Sequence, residues 1–159
     1  MSKALLLEFM QFAREKTLGT LDMIAKDTDP AAALAFRPGP GRAHLAWQLM
    51  HIAATDDRHL NVRIKQGESV SPEYARRFAG GSVPDDSIPT VEEVRKYLTE
   101  RRTAIAEHFQ SLREEQLATK PHEQAPWNYQ DWMKLLAWHE AHHQGQAHLT
   151  LNLYKASKI

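Results

Sequence analysis

Two histidines one helical turn apart, His139 and His143, can hold a single metal ion. They stand in residues 127–154, WNYQDWMKLLAWHEAHHQGQAHLTLNLY. Imidazoles at i and i+4 rise about 6 Å apart on one side of a helix. Both can then reach one ion through bonds of about 2.0–2.1 Å. His142 lies about 60° to one side of the same stripe, so the local spelling HEAHH leaves a choice of ligand pair. His143 is nearer the middle of the stripe and is the better partner for His139. Two alternatives stand beside this reading. The histidines can be core residues satisfied by ordinary hydrogen bonds. The run His139-Glu140-Ala141-His142-His143 also satisfies HExxH, the zincin metallopeptidase signature, in which the glutamate is the general base. A zincin needs a third ligand further along and an edge strand to hold a peptide, and neither is readable here.

The element that must position these rings is a helix. Asn128 is placed to cap it, with Asp131 three residues on to complete a capping box. Good helix formers dominate the rest of the stretch. With His139 at the origin and steps of about 100°, Trp132, Leu135, Leu136, His143, Gln146, Thr150, Leu153 and Tyr154 fall within roughly 60° of it. That arc reads as the core face, with the histidines at its centre. Glu140 falls outside it, pointing between helices or to solvent.

A third histidine lies in the middle of another helix, residues 43–66. Leu45, Leu49, Ile52 and Leu60 form its apolar stripe, interrupted by Asp56. A neighbouring stripe carries His44, Trp47, His51, Thr55, Arg58 and Val62. His51 is flanked by Met50 and Ile52, far from either cap. Three imidazoles from two facing helices would make an open metal site. His44 and Arg58 share the His51 face at opposite ends and are candidates to touch a substrate. Gln146, one turn beyond His143, can orient a ligand or simply hydrogen-bond within the bundle.

Two further helices complete the pattern. Residues 3–26 repeat Leu6, Phe9, Met10, Ala13, Thr17, Leu21 and Ile24 at helical spacing. A third helix opens at the capping box Thr90-Val91-Glu92-Glu93 and runs to Leu112, with Arg101 and Arg102 expected at its solvated edge. The proline- and glycine-broken DTDPAAALAFRPGPGR reads as a solvated connection. Residues 67–89 form a long connection with a short helical turn near SPEYARRF. That length suggests a crossover, so that the second and third helices run parallel. The fold expected is all-α: one domain over 1–159, a four-helix bundle with a long crossover between helices 2 and 3.

Composition narrows the functions. The chain has 159 residues, a formal net charge of zero, nine histidines and no cysteine. A balanced charge provides no field to attract nucleic acid or an anionic membrane. Without cysteine there is no thiolate ligand, catalytic thiol or disulfide, which agrees with a reducing, cytoplasmic setting. Glu8 breaks the apolar run of MSKALLLEFMQF, so it does not read as a signal peptide.

AWQLMHIAATDDRHL and LLAWHEAHHQGQAHLTLNLY together resemble the DinB/YfiT-like family of metal-dependent proteins, and the resemblance spans essentially the whole chain. HEAHHQGQ is its most specific part. Gln144 stands where the family often has arginine. The resemblance implies a four-helix bundle with a three-histidine site mapping onto His51, His139 and His143, and zinc, nickel or iron as the cofactor. It also implies the chemistry of some relatives: transfer of a low-molecular-weight thiol such as bacillithiol, mycothiol or glutathione to an electrophile, or use of that thiol in an isomerisation. A non-catalytic metal-binding protein or a homodimeric interaction module is the alternative, and a metal-dependent hydrolase a more distant one.

Overall fold

The computed structural model describes residues 1–158. In chain order the α-helices are α1 (Lys3–Ala25), α2 (Pro30–Ala35), α3 (Leu45–Asp57), α4 (Pro72–Arg77), α5 (Val91–Ser111) and α6 (Tyr129–Ala156). A π-helical turn, Arg58–Ile64, prolongs α3, and a 3-10 turn, Glu114–Ala118, follows α5. There is no strand among the described residues.

Local chemistry sets the helix starts. Ser2 caps α1, and Thr90 with Glu93 forms a complete capping box on α5. Asn128 Oδ1 accepts from the Asp131 N–H at 2.8 Å. The reciprocal arm is missing, because the Asp131 carboxylate takes Lys134 instead, at 3.1 Å. The connection after α1 is not simply solvated. Asp29 accepts from the Ala32 N–H and Pro30 occupies the first turn, which starts α2. Ala33 and Leu34 then plug the core.

Contacts between helices give their directions. Thr20 meets Gln144 and Arg14 meets Glu140, so α1 and α6 run the same way. Gln48 meets Thr150 while His51 meets His139, so α3 and α6 are antiparallel. Leu49 and Leu98 share one core cluster while Leu60 and Ile105 share another, so α3 and α5 are parallel. The long crossover makes this arrangement possible. It carries α4 and buries Phe78 in the core.

The core has two apolar layers. One gathers Leu21, Leu49, Leu98 and Leu151 with their neighbours. The other gathers Leu6, Leu60, Phe109 and Trp132. Between them lies a layer of four charges, one from each long helix: Arg14, Asp56, Arg102 and Glu140, none more than 4% exposed. Arg14 reaches Glu140 at 2.6 Å and Asp56 at 3.1 Å. Arg102 reaches Asp56 at 3.1 Å and also bonds Glu140. Arg14 donates further to the Leu98 carbonyl. Arg102 therefore lies inside, not at the solvated edge the sequence suggests, because two buried carboxylates await it. Arg101 keeps a largely covered position beside Asp57, 3.8 Å away. Burial pushes the Asp56 carboxyl pKa up, against the pull of Arg102 and Arg14.

The quartet is neutral only when complete. Glu140→Ala leaves Arg14 and Arg102 facing one carboxylate, and the expected loss is about 3–5 kcal/mol. Urea denaturation reads it directly. A loss of about 1 kcal/mol or less, the scale of exposed pairs, would mean that these charges are solvated.

Candidate metal centre

Three imidazoles converge where the middle of α3 faces the middle of α6. His51, His139 and His143 each offer one ring nitrogen, and these atoms all lie within 4.8 Å of one another. His51 Nε2 and His139 Nε2 are 3.1 Å apart. Two nitrogens bonded to one tetrahedral ion at 2.0–2.1 Å would sit about 3.3 Å apart. The ring centroids of His51 and His143 are 4.6 Å apart, and those of His139 and His143 are 4.5 Å apart.

Second contacts hold two of the rings. His51 Nδ1 lies 2.7 Å from the Phe78 carbonyl, which can only accept. The His51 proton is therefore on Nδ1, and Nε2 keeps its lone pair for the centre. His143 Nδ1 donates in the same way to Gln146 Oε1 at 2.8 Å. Trp47 stacks flat on His51, with centroids 4.8 Å apart and planes 7° apart. Thr55 Oγ1 is 3.4 Å from His139 Nε2. The crossover carbonyl at Phe78 is a backbone partner and leaves no mark in a side-chain pattern.

Burial keeps the rings neutral. It lowers the His139 pKa to about 3, with further lowering from His143 and His51. It lowers His143 to about 4 and also lowers His51. Neutral imidazole is the form that ligates. At neutrality, facing nitrogens at 3.1 Å suit one shared proton or one shared cation. No acid lies among the three ligands, so a divalent ion there would keep its full charge and Lewis acidity.

Among the residues singled out from the sequence, His51, His139 and His143 come together as expected. The centre of the α6 core face lies elsewhere than the helical wheel puts it. Glu140, fully buried, occupies the middle of that face, and His139 and His143 are half-buried on its flank. Glu140 can be there because two arginines neutralise it. That also removes the zincin reading, since its carboxylate is committed to Arg14 and Arg102.

His44 is not a pocket residue. It caps α3, its Nδ1 accepting from the Trp47 N–H at 3.0 Å, and it is fully buried. His142 is exposed, stacked on Trp138, and its Nε2 receives the Gln146 amide at 3.1 Å. Gln146 thus steadies His143 and occupies His142. Trp138 and Ala141 are exposed. Arg58 lines a cleft of about 300 Å³ beside His51 and His139.

A sequence model described as the DinB superfamily matches residues 10–147. Comparison with curated proteins returns no match. Among solved structures, the chain is similar to a conserved protein from Enterococcus faecalis. The two are 22% identical over 96% of this chain and 97% of that one, with a TM-score of 0.67. At that identity the likeness is one of fold.

The low pKa values carry a stability consequence. An unfolded histidine takes up its proton near pH 6.5, but folded His139 does so only near 3 and folded His143 near 4. The unfolded chain therefore binds more protons between these limits. Stability of the metal-free protein should be full above pH 6.5 and fall as pH drops toward 4. His139→Gln should lower that slope by up to about 1.4 kcal/mol per pH unit. Denaturation midpoints across pH 4–7 check this, and an unchanged slope in the variant would contradict the buried, neutral ring.

Proposed function

The chain belongs to the DinB superfamily, and we propose that it binds one divalent ion at His51, His139 and His143 and uses it to join a low-molecular-weight thiol to an electrophile. The observation that carries this reading is the convergence of three neutral imidazole nitrogens from two helices. Two of those rings are oriented from behind by hydrogen bonds, the usual support of a ligating histidine. Zinc, nickel and iron all suit imidazole donors.

When bound, the ion supplies Lewis acidity, favouring the thiolate form of a sulfur that reaches its open positions. The chain contains no cysteine, so that sulfur comes from a small molecule. The sulfur forms a bond to carbon as a leaving group departs with its electron pair, or as an activated double bond opens. In the substitution the thiol proton passes to solvent or to the leaving group; in the addition a proton is returned to the far carbon of the opened double bond. The chain's own part is positional. The Phe78 carbonyl and Gln146 fix the two rings, while Thr55 and the cleft walls face the incoming molecule.

A second reading, association of two copies, has its own observation. Phe9, Phe12 and Trp138 are 51%, 55% and 61% exposed. They line a groove of about 470 Å³ between α1 and α6. Sedimentation of the native chain should give a dimer, and Phe12→Glu with Trp138→Glu a monomer. A native monomer at high micromolar concentration would end that reading.

Metal analysis tests the main proposal. One divalent ion per chain is expected, lost in His51→Ala, His139→Ala and His143→Ala while helicity stays. His142→Ala and His44→Asn should keep the ion, the latter because asparagine also caps helices. Stoichiometric metal in all three ligand variants would refute the site.

A further inference from the structure

The cleft that opens onto His51 and His139 continues along the π-helical turn after α3. Its walls include Arg58, His59, Arg63, Trp127 and Leu135, and no aspartate or glutamate lines it. Arg58 and Arg63 are both exposed. Among the described residues neither guanidinium has an ion-pair or hydrogen-bond partner; the same holds for Arg42 and Arg76, but these do not line the cleft, and the other seven arginines all have an acid beside them.

The backbone explains why these two arginines share a wall. Residues five apart diverge on an α-helix but stack on a π-helix, whose bonds run i to i+5. The Lys65 N–H bonds the Leu60 carbonyl in that manner, at 3.0 Å. The wide turn thus brings Arg63 round to the side that Arg58 faces. His59, between them, feels only repulsion from charge: burial, then Arg58, then Arg63 lower its pKa to about 4. The local field is positive and uncompensated. Arg58 is two turns past His51, about 10 Å along the axis.

We infer that this cleft is a binding site for a small carboxylate-bearing molecule. Its anionic end lies on Arg58 and Arg63, its body against Trp127 and Leu135, and its other end at the three imidazoles. Guanidinium groups match carboxylates in a two-pronged geometry that lysine cannot reproduce. The inference deepens the thiol reading above and rests on it for the identity of the end that meets the histidines. It narrows the thiol to an acidic one.

Three thiols of equal length separate the outcomes: 6-mercaptohexanoate, 6-mercaptohexanol and 6-aminohexanethiol. Each is titrated into cobalt(II)-loaded protein, and the sulfur-to-cobalt absorption band is followed. The acid should bind about tenfold more tightly than the alcohol, the scale of one charge-assisted pair, and the amine should bind most weakly. Arg58→Gln with Arg63→Gln should erase the acid's advantage and leave the alcohol's affinity as it was. Equal affinities for the three thiols, or an advantage that survives the double variant, would overturn the inference.

The arginine end is also read without metal. Adipate titrated into the metal-free chain should shift the Nε–H resonances of Arg58 and Arg63 saturably. If no thiol gives a cobalt band, the thiol reading falls and the adipate titration alone decides the anion site. Unmoved arginine resonances would then overturn it.

Discussion

Four buried charges, one per long helix, govern how this bundle can be put together. Arg14, Asp56, Arg102 and Glu140 form a neutral set between two apolar layers. Charges in such a place are tolerated only when each finds its partners. A helix that slid by one turn or rotated by one residue would strand an ion in the core. The layer therefore fixes register in a way that leucines, which interchange more freely, cannot. It also adjoins the candidate metal centre: Glu140 follows His139 directly, and Asp56 follows Thr55, whose hydroxyl lies 3.4 Å from His139 Nε2. Arg14 and Arg102 each bridge Asp56 on α3 to Glu140 on α6, and so help to set the distance across which His51 and His139 meet.

The crossover and the π turn finish what the bundle begins. The crossover is long enough to let α3 and α5 run parallel, and it passes beside the site. Its Phe78 side chain is buried while its carbonyl holds His51. The π turn alters which residues share a face. Ile52, Asp56, Leu60 and Ile64 recur at intervals of four and all are buried. On a pure α-helix a strict interval of four drifts by about 40° at each step. A wider turn cancels the drift, keeps Leu60 and Ile64 inward, and places Arg58 and Arg63 together on the cleft.

Much of this is legible in the sequence. Histidines on apolar stripes of two helices name the three candidate ligands, and the long gap after residue 66 gives the crossover. The features that a sequence pattern misses have physical reasons. An arginine in a helical pattern looks solvated until its buried partners are known. Arg14 sits in the Met10–Ala13–Thr17–Leu21 stripe and Asp56 in the Leu45–Leu49–Ile52–Leu60 stripe, so two charged residues on core faces are the available signal. A wheel for α6 that keeps glutamate out of the core is centred one residue early. His44 has the residue type of a pocket ligand, whereas its position before Leu45 marks a cap. The strict interval of four after Ile52 is the trace of the π turn. The Phe78 carbonyl leaves no trace, since any residue supplies one.

His51 and His139 are separated by 88 positions in sequence. In an extended chain only His139 and His143 stay close enough to share an ion, so the third ligand exists only once α3 and α6 have docked. An ion that needs all three rings binds the folded chain far better than the unfolded one, and it shifts the folding equilibrium in proportion to its concentration. The fraction of this protein that survives proteolysis would then track the supply of that ion, so that scarcity of the metal would thin out the protein itself.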